Sequence, residues 1–511
     1  MTTTNPPAVK TRTFCSQYMS GYQYTSSASV PTGPGNLPTS SLPTTGQVAM
    51  QAAILGELKD ATFTVDLTAH GAPLQANPDD IQKVFDHLRN NCRLTHMTLF
   101  ADDKSAKDVP RLPPSGFVAV TESYEPLTHL LNTIVHAANS CLTGPRYLEG
   151  LHFYPHGVEM QEKVYSDVHL KPDMLGLLHS HMPDEPTISW SDVAVFIGVK
   201  GQLIEAVKQL AMYAHCHLAV ERRRSFTIGI SICRKQLTLH FICFHRSGIS
   251  ISPPLHLDEE DGFRSVVGHM VGIMSIRDEE AFGLDMTSVD NVFRLNDCNY
   301  EVVRTIYKRN DIRCSAAVYS LKRTVSFLFD LYELDLQCPA FPHLVQPTSV
   351  VRDTPTTTTA SLQSRKLTCA DGVSELPEKL VYKLSYRPKG HPSEGSLFSG
   401  FRGQFGIVDV IGFCICSSED IFGSTEHHIL NAVFLPLSAD ESKKEDKKDN
   451  GEKRTPQPEI QYLHCTAMAL EGLQLLDISD SDTTIILTPP ELVETILHSI
   501  IGEWISFSAF F

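Results

Sequence analysis

The sequence predicts a mixed α/β part followed by a smaller α+β part, and three observations carry that prediction. Residues 124–142 place Leu127, Leu130, Leu131, Ile134, Val135 and Ala138 on one helical face. Residues 203–221 do the same with Leu203, Ala206, Val207, Leu210, Tyr213, Ala214 and His217. Between 226 and 243, Phe226, Ile228, Ile230 and Ile232 alternate with small or polar residues, and Leu237, Leu239, Phe241 and Cys243 alternate again. The short Arg234-Lys235-Gln236 turn between the two runs makes them a hairpin. Helix, strands, helix and strands in one block of about 170 residues specify a mixed α/β domain.

The other elements follow in order. Residues 1–46 are rich in Ser, Thr, Pro and Gly and read as a disordered tail. A helical N-terminal segment, 47–115, carries patterns near 47–58 and 78–92, the second opened by Asn77-Pro78-Asp79-Asp80 as a cap with proline and acids in the first turn. The α/β domain spans 116–290, with strand-like runs around 164–178 and 193–199 and a further helix over 261–276. The second part spans 291–511. Strands are expected over 291–322, a Thr/Pro-rich insertion near 323–377, and a solvated polyampholyte loop near 436–458. A final helix opens with Thr488-Pro489-Pro490-Glu491 and continues through Leu492, Val493, Ile496, Leu497, Ile500 and Ile501. The apolar end, Ile505 to Phe511, reads as a cut through a core.

Composition bounds the function. Hydrophobic residues make up 42% and charged residues 20%, as in ordinary globular proteins. The formal net charge of −16 argues against a surface built for a nucleic-acid backbone and leaves proteins as the expected partners. Thirteen cysteines without a CxxC pair read as reduced, packed thiols of an intracellular, cytoplasmic or nuclear protein. Cys414 and Cys416 lie in an alternating apolar strand and read as core. No signal peptide or membrane span is expected.

Lys171-Pro172-Asp173 on one strand, Lys200 at the end of the next, and Gln209 on the following helix resemble the PD-(D/E)xK nuclease-like core. The resemblance implies a metal-binding acid at Asp173 and a water-positioning lysine at Lys200. Gly198 stands in the second acid's place and cannot ligate, so nuclease catalysis is not expected. Around this core, Trp190-Ser191-Asp192-Val193, Gly198-Val199-Lys200, Gln209-Leu210-Ala211-Met212-Tyr213 and Arg222-Arg223-Arg224-Ser225-Phe226 resemble the fungal-type protein kinase family. Arg246-Ser247-Gly248, Phe263-Arg264-Ser265-Val266-Val267 and Phe282-Gly283-Leu284-Asp285 continue that resemblance, with His245 where an acid is expected. It covers about 120–320 and, more loosely, 378–505.

In that family an α/β region precedes a divergent kinase domain, so the second part is expected to be an incomplete kinase N-lobe. The resemblance implies that Lys383, in the strand-like Leu380-Val381-Tyr382-Lys383, contacts nucleotide phosphates and is held by Glu394. The segment 313–319, where a Gly-rich loop should stand, has no glycine. No His-Arg-Asp and no Asp-Phe-Gly occur, and the closing helix resembles the stretch before the catalytic loop. ATP with magnesium is therefore expected to bind weakly or not at all. The chain reads as a truncated, inactive kinase relative that acts as an interaction module.

A second resemblance competes with this one. His179-Ser180-His181, Ser189 and Asp192 reproduce the H-x-H-x7-S-x2-D spacing of the zinc isopeptidases of the MPN class. That resemblance implies zinc on His179, His181 and Asp192, with Ser189 helping an oxyanion. Met182 stands where that class has proline, and the residues after Asp192 read as a strand where it has a helix.

Overall fold

The computed structural model describes residues 44–100, 111–112, 124–155, 160, 170–178, 188–221, 223–289, 291–313, 315–324, 363–370, 373–399, 409–416, 433–435, 437 and 459–469. The tail at 1–43, His179, His181, the loop 436–458 apart from 437, and the closing helix lie outside them. The first helix, α1 (Thr44–Leu58), begins inside the segment expected as tail. Among the described residues no helix is long and apolar enough to cross a membrane.

The first sheet is built from β1 (Thr62–Thr64), β2 (Leu151–Pro155), β3 (Met174–Leu178), β4 (Val193–Lys200), β5 (Phe226–Cys233), β6 (Thr238–His245), β7 (Gly248–Ile251), β8 (Leu255–His256) and β16 (Val433–Phe434). Its order is β16-β1-β7-β6-β5-β4-β3-β2, with β8 beside β6. Most pairs are antiparallel. The exceptions are β4 with β5, joined by the crossover helix α5 (Leu203–Val220), and β1 with β7.

The β5–β6 hairpin is buried on both faces. One face carries Phe226, Ile228, Ile230 and Ile232 against α2 (Pro78–Asn90), α4 (Tyr124–Cys141) and α6 (Glu260–Met274). The other face meets α1 and α5 through Phe196, Phe244, Leu210 and Ile54. Alternation with Thr227, Gly229 and Ser231 reads as a half-solvated strand, yet these small residues make room for aromatic neighbours: a Cβ on Gly229 would sit 2.8 Å from the Phe196 ring. The caps follow the local chemistry. Asn77 accepts the Asp79 N–H at 3.0 Å, and Pro78 occupies the first helical turn of α2. The N-terminal segment, read as helical, also supplies β1 to the sheet.

Gly248 opens β7 with φ +138°, and a Cβ there would lie 2.1 Å from the Ala61 carbonyl oxygen. That oxygen accepts the Ile249 N–H at 2.7 Å, so the approach is fixed by the β1–β7 pairing. Gly248→Ala is expected to cost about 2–3 kcal/mol. The check is the urea midpoint against Gly56→Ala, where no atom lies within 4 Å and no loss is expected.

The second sheet is antiparallel throughout, in the order β13-β15-β17-β14-β12-β11-β10-β9. Its strands are β9 (Ser288–Val289), β10 (Val292–Leu295), β11 (Cys298–Arg309), β12 (Ala316–Arg323), β13 (Thr368–Cys369), β14 (Lys379–Pro388), β15 (Val410–Cys416) and β17 (Gln461–Ala469). A short helix, α7 (Glu394–Ser399), packs on β15 and β17. The opposite face holds a core of Phe293, Tyr319, Leu321, Leu367, Leu380 and Tyr382. Residues 363–370, inside the expected insertion, are ordered onto this core: Arg365 bridges Leu295, and β13 pairs with β15.

Candidate functional site

The first candidate centre lies at the ends of β3 and β4. Asp173 directly precedes β3, and Lys200 ends β4 with its Nζ 3.6 Å from Asp173 Oδ2. The same oxygen accepts the Val199 N–H at 2.8 Å, and Oδ1 accepts the Tyr124 hydroxyl, also at 2.8 Å. Tyr213 of α5 donates to the Lys171 carbonyl at 2.9 Å and is itself paired with the Gln209 amide. Burial, then the Asp173 carboxylate, pushes both phenols up, so Tyr124 and Tyr213 stay neutral donors. The place of a second acid is tight: a Cβ on Gly198 would meet the Leu210 side chain at 3.2 Å. One carboxylate with a tyrosine, an amide and a lysine around it ties α4 to the sheet. Gly198 supplies no second carboxylate of the kind a magnesium site built from two acids uses.

Asp192 ends a 3₁₀ turn, Trp190–Asp192. Its carboxylate accepts the Ser189 N–H at 3.0 Å in a capping box, and β4 starts at the next residue. Ser189 Oγ lies 2.6 Å from Ser191 Oγ and accepts the Ser191 N–H at 3.1 Å.

The second candidate centre lies in the second sheet. Lys383 is half-buried at the middle of β14, opposite Val318 of β12 and Thr466 of β17. Glu394 is the first residue of α7, and its side chain lies outside the described ones. The connection between β11 and β12, residues 310–315 of which 314 lies outside the described ones, comes ahead of the strand that carries Lys383.

Residues invisible to sequence reasoning hold that connection. Glu57, near the end of α1, accepts the Ile312 N–H at 3.3 Å and also the Arg313 N–H. Arg313 in turn donates to the Glu57 carbonyl at 3.4 Å and pairs with Glu459 at 2.8 Å. Arg246, fully buried, donates to the carbonyls of Asp311 at 3.2 Å and Ile312 at 3.3 Å, and lies 4.9 Å over the Tyr386 ring. Burial, then the nearby Asp311 carboxylate, pushes the Glu57 carboxyl up to about 7. Its helical neighbourhood gives it the look of an ordinary solvent-facing glutamate, so no local signal marks it.

Two of the motifs that carried the family resemblance, Arg246-Ser247-Gly248 and Phe282-Gly283-Leu284-Asp285, hold contacts between the two sheets. Besides Arg246, Ser247 Oγ accepts the Gln461 N–H of β17 at 2.9 Å, and Gly248 lets β7 approach β1. His245 is satisfied by Ser250 at 2.9 Å and by the Ser247 N–H at 3.2 Å. The arginine run is partly interior. Arg224 is buried over the Phe282 ring at 4.2 Å and bridges Leu284. Asp285 closes this region, its N–H bonding the Arg223 carbonyl at 2.7 Å and its Oδ2 pairing with Arg365 at 2.7 Å.

No curated protein and no solved structure matches the chain. Residues 171–325, from just before Asp173 through β12 and thus including the Arg246-Ser247-Gly248 and Phe282-Gly283-Leu284-Asp285 wiring, match the family described as "Fungal protein kinase".

Proposed function

We propose that these 511 residues form a kinase-related module that does not itself transfer phosphate and that works through protein partners. The single observation that carries this reading is Glu57 on the β11–β12 connection. In a kinase, a Gly-rich loop at this position covers the nucleotide phosphates. Here a carboxyl group of the chain's own takes the Ile312 and Arg313 amides, and an anion brought to those amides would meet it.

The frame around this contact supports kinase ancestry. β11, β12 and β14 form an antiparallel meander, its third strand carries Lys383, and a helix opening with Glu394 follows. The sequence holds no His-Arg-Asp and no Asp-Phe-Gly, so these residues supply neither the base nor the metal aspartate of phosphoryl transfer. The β4-α5-β5 unit, with Lys200 at the end of β4 and Asp173 just ahead of the neighbouring antiparallel β3, supports a nuclease-like origin for the first sheet, its metal chemistry lost at Gly198. The charge of −16 favours protein over nucleic-acid partners.

The test is thermal denaturation with and without millimolar MgATP, alongside radiolabelled phosphate transfer to a generic protein substrate. No shift and no transfer are expected, in the parent chain and in Lys383→Ala alike. A genuine site saturated a hundredfold above its Kd would add about 2.7 kcal/mol. A shift of that size, lost in Lys383→Ala, would overturn the reading.

A further inference from the structure

Three cysteines converge on one face of the second sheet. Cys414 of β15 stands directly opposite Cys465 of β17 in the antiparallel register, and the two-residue period puts Cys416 on the same face as Cys414. The three sulfur atoms all lie within 4.8 Å of one another. Cys465 is fully buried, whereas Cys414 and Cys416 are partly exposed, which leaves a way in from solvent. No disulfide joins them.

The surroundings are unusual for an apolar sheet face. Arg365, itself buried, points its guanidinium at the group: Nη1 donates to Cys465 Sγ at 3.3 Å and to the Tyr382 hydroxyl at 3.2 Å. Its Nη2 pairs with Asp285 at 2.7 Å, which fixes the fork in place. Asp285 balances the charge on one side, and the other side of the guanidinium offers its N–H to sulfur, a donor that a metal-bound thiolate accepts more strongly than a thiol does. Three thiolates around a divalent ion carry a net −1, and around a monovalent ion −2, so Arg365 faces the charge such a centre would have. Thiolates select soft ions such as Cu(I) and zinc. Among the described residues no fourth Cys, His, Asp or Glu joins the group, which suits a three-coordinate ion or one that completes its shell with a solvent ligand.

We propose that Cys414, Cys416 and Cys465 together bind one thiophilic d10 metal ion, with Arg365 as the outer hydrogen-bond donor to the Cys465 sulfur. Binding replaces the three thiol protons with the ion and releases them to solvent. Cys465 stands opposite Leu384, one residue from Lys383, so the site lies on the other face of the same strands, and it is independent of whether nucleotide binds.

The test uses the full chain, reduced and handled anaerobically, loaded in separate arms with zinc and with Cu(I). Each sample is then challenged with a chelator, and retained metal and reactive thiols are counted. One ion per chain is expected to survive, with three fewer reactive thiols than in the metal-free protein. Cys416→Ser, a partly exposed strand position where serine keeps the fold, should lower retention at least tenfold, and Cys465→Ser should do the same. Cys92→Ser should leave it unchanged. Loss in Cys416→Ser also assigns the metal to this face rather than to His179, His181 and Asp192. Preferential retention of Cu(I) marks a three-coordinate centre, and preference for zinc marks an added solvent ligand; either supports the site. No retained ion in both arms, retention indifferent to Cys416→Ser in a variant that melts like the parent, or a Cys414–Cys465 disulfide in place of bound metal would overturn it.

Discussion

Asp285→Asn is expected to destabilise the protein by about 3–5 kcal/mol, the usual cost of removing one partner from a buried ion pair. The Asp285–Arg365 pair is 2.7 Å long, with side-chain exposures of 18% and 7%. Its carboxylate does more than neutralise: Oδ1 also accepts the Thr287 N–H at 2.9 Å and the Thr287 hydroxyl at 2.7 Å. Asparagine keeps an oxygen for both of those donors but leaves Arg365 without its counter-charge. Burial alone would weaken the guanidinium's hold on its proton; Asp285 first, with Cys465, Tyr382 and Cys416 behind it, together more than offset that and keep Arg365 firmly charged. The variant therefore buries an unpaired cation. Adding Arg365→Met should recover most of the loss, because the cost lies in the orphaned charge more than in the lost contact. Urea denaturation of the two single variants and the double variant reads this directly. A loss below about 1 kcal/mol in Asp285→Asn would mean that the pair is solvated.

Glu57→Gln is expected to change how stability depends on pH. The folded-state carboxyl is raised from 4.5 to about 7, burial being the main cause and Asp311 the second. A carboxyl raised on folding holds its proton in the native state over a window where the unfolded chain has released it. Its favourable contribution is thus complete below about pH 4.5 and is lost as pH rises through about 7. The residue as a whole is partly exposed, so the swing is on the order of 2–3 kcal/mol. Glutamine retains an acceptor for the Ile312 and Arg313 amides but has no proton to lose. The variant should match the parent near pH 5 and exceed it near pH 8. Parallel urea midpoints from pH 5 to 8 for the two proteins would rule out the closure of the β11–β12 connection by Glu57.

Much of the fold could be read from the sequence because its signals are local. The 3.6-residue periodicity of 124–142 yields α4, and the two alternating runs after 226 yield β5 and β6. What alternation could not reveal was the second covering layer, since Thr227, Gly229 and Ser231 look the same whether they face water or a closely packed helix. The candidate sites divide along the same line. Asp173 and Lys200 meet because they end neighbouring strands, an order visible along the chain. The Glu57–Arg313 contact and the meeting of Cys465 with Cys414 join residues far apart in sequence. Neither leaves a periodic trace, and the second depends on β17 inserting between β14 and β15.

β1 is paired on one side with β7 and on the other with β16, so Phe63 faces Ser250 and also Phe434. During synthesis the first sheet must wait for nearly all of the second to emerge before its last strand is in place. Until then the amides and carbonyls of β1 form an open edge able to accept a strand from another molecule. A fragment ended at a natural-looking boundary near 290 keeps that edge permanently. Such a fragment should self-associate where the longer chain stays monodisperse, even though every helix that covers its sheet is present.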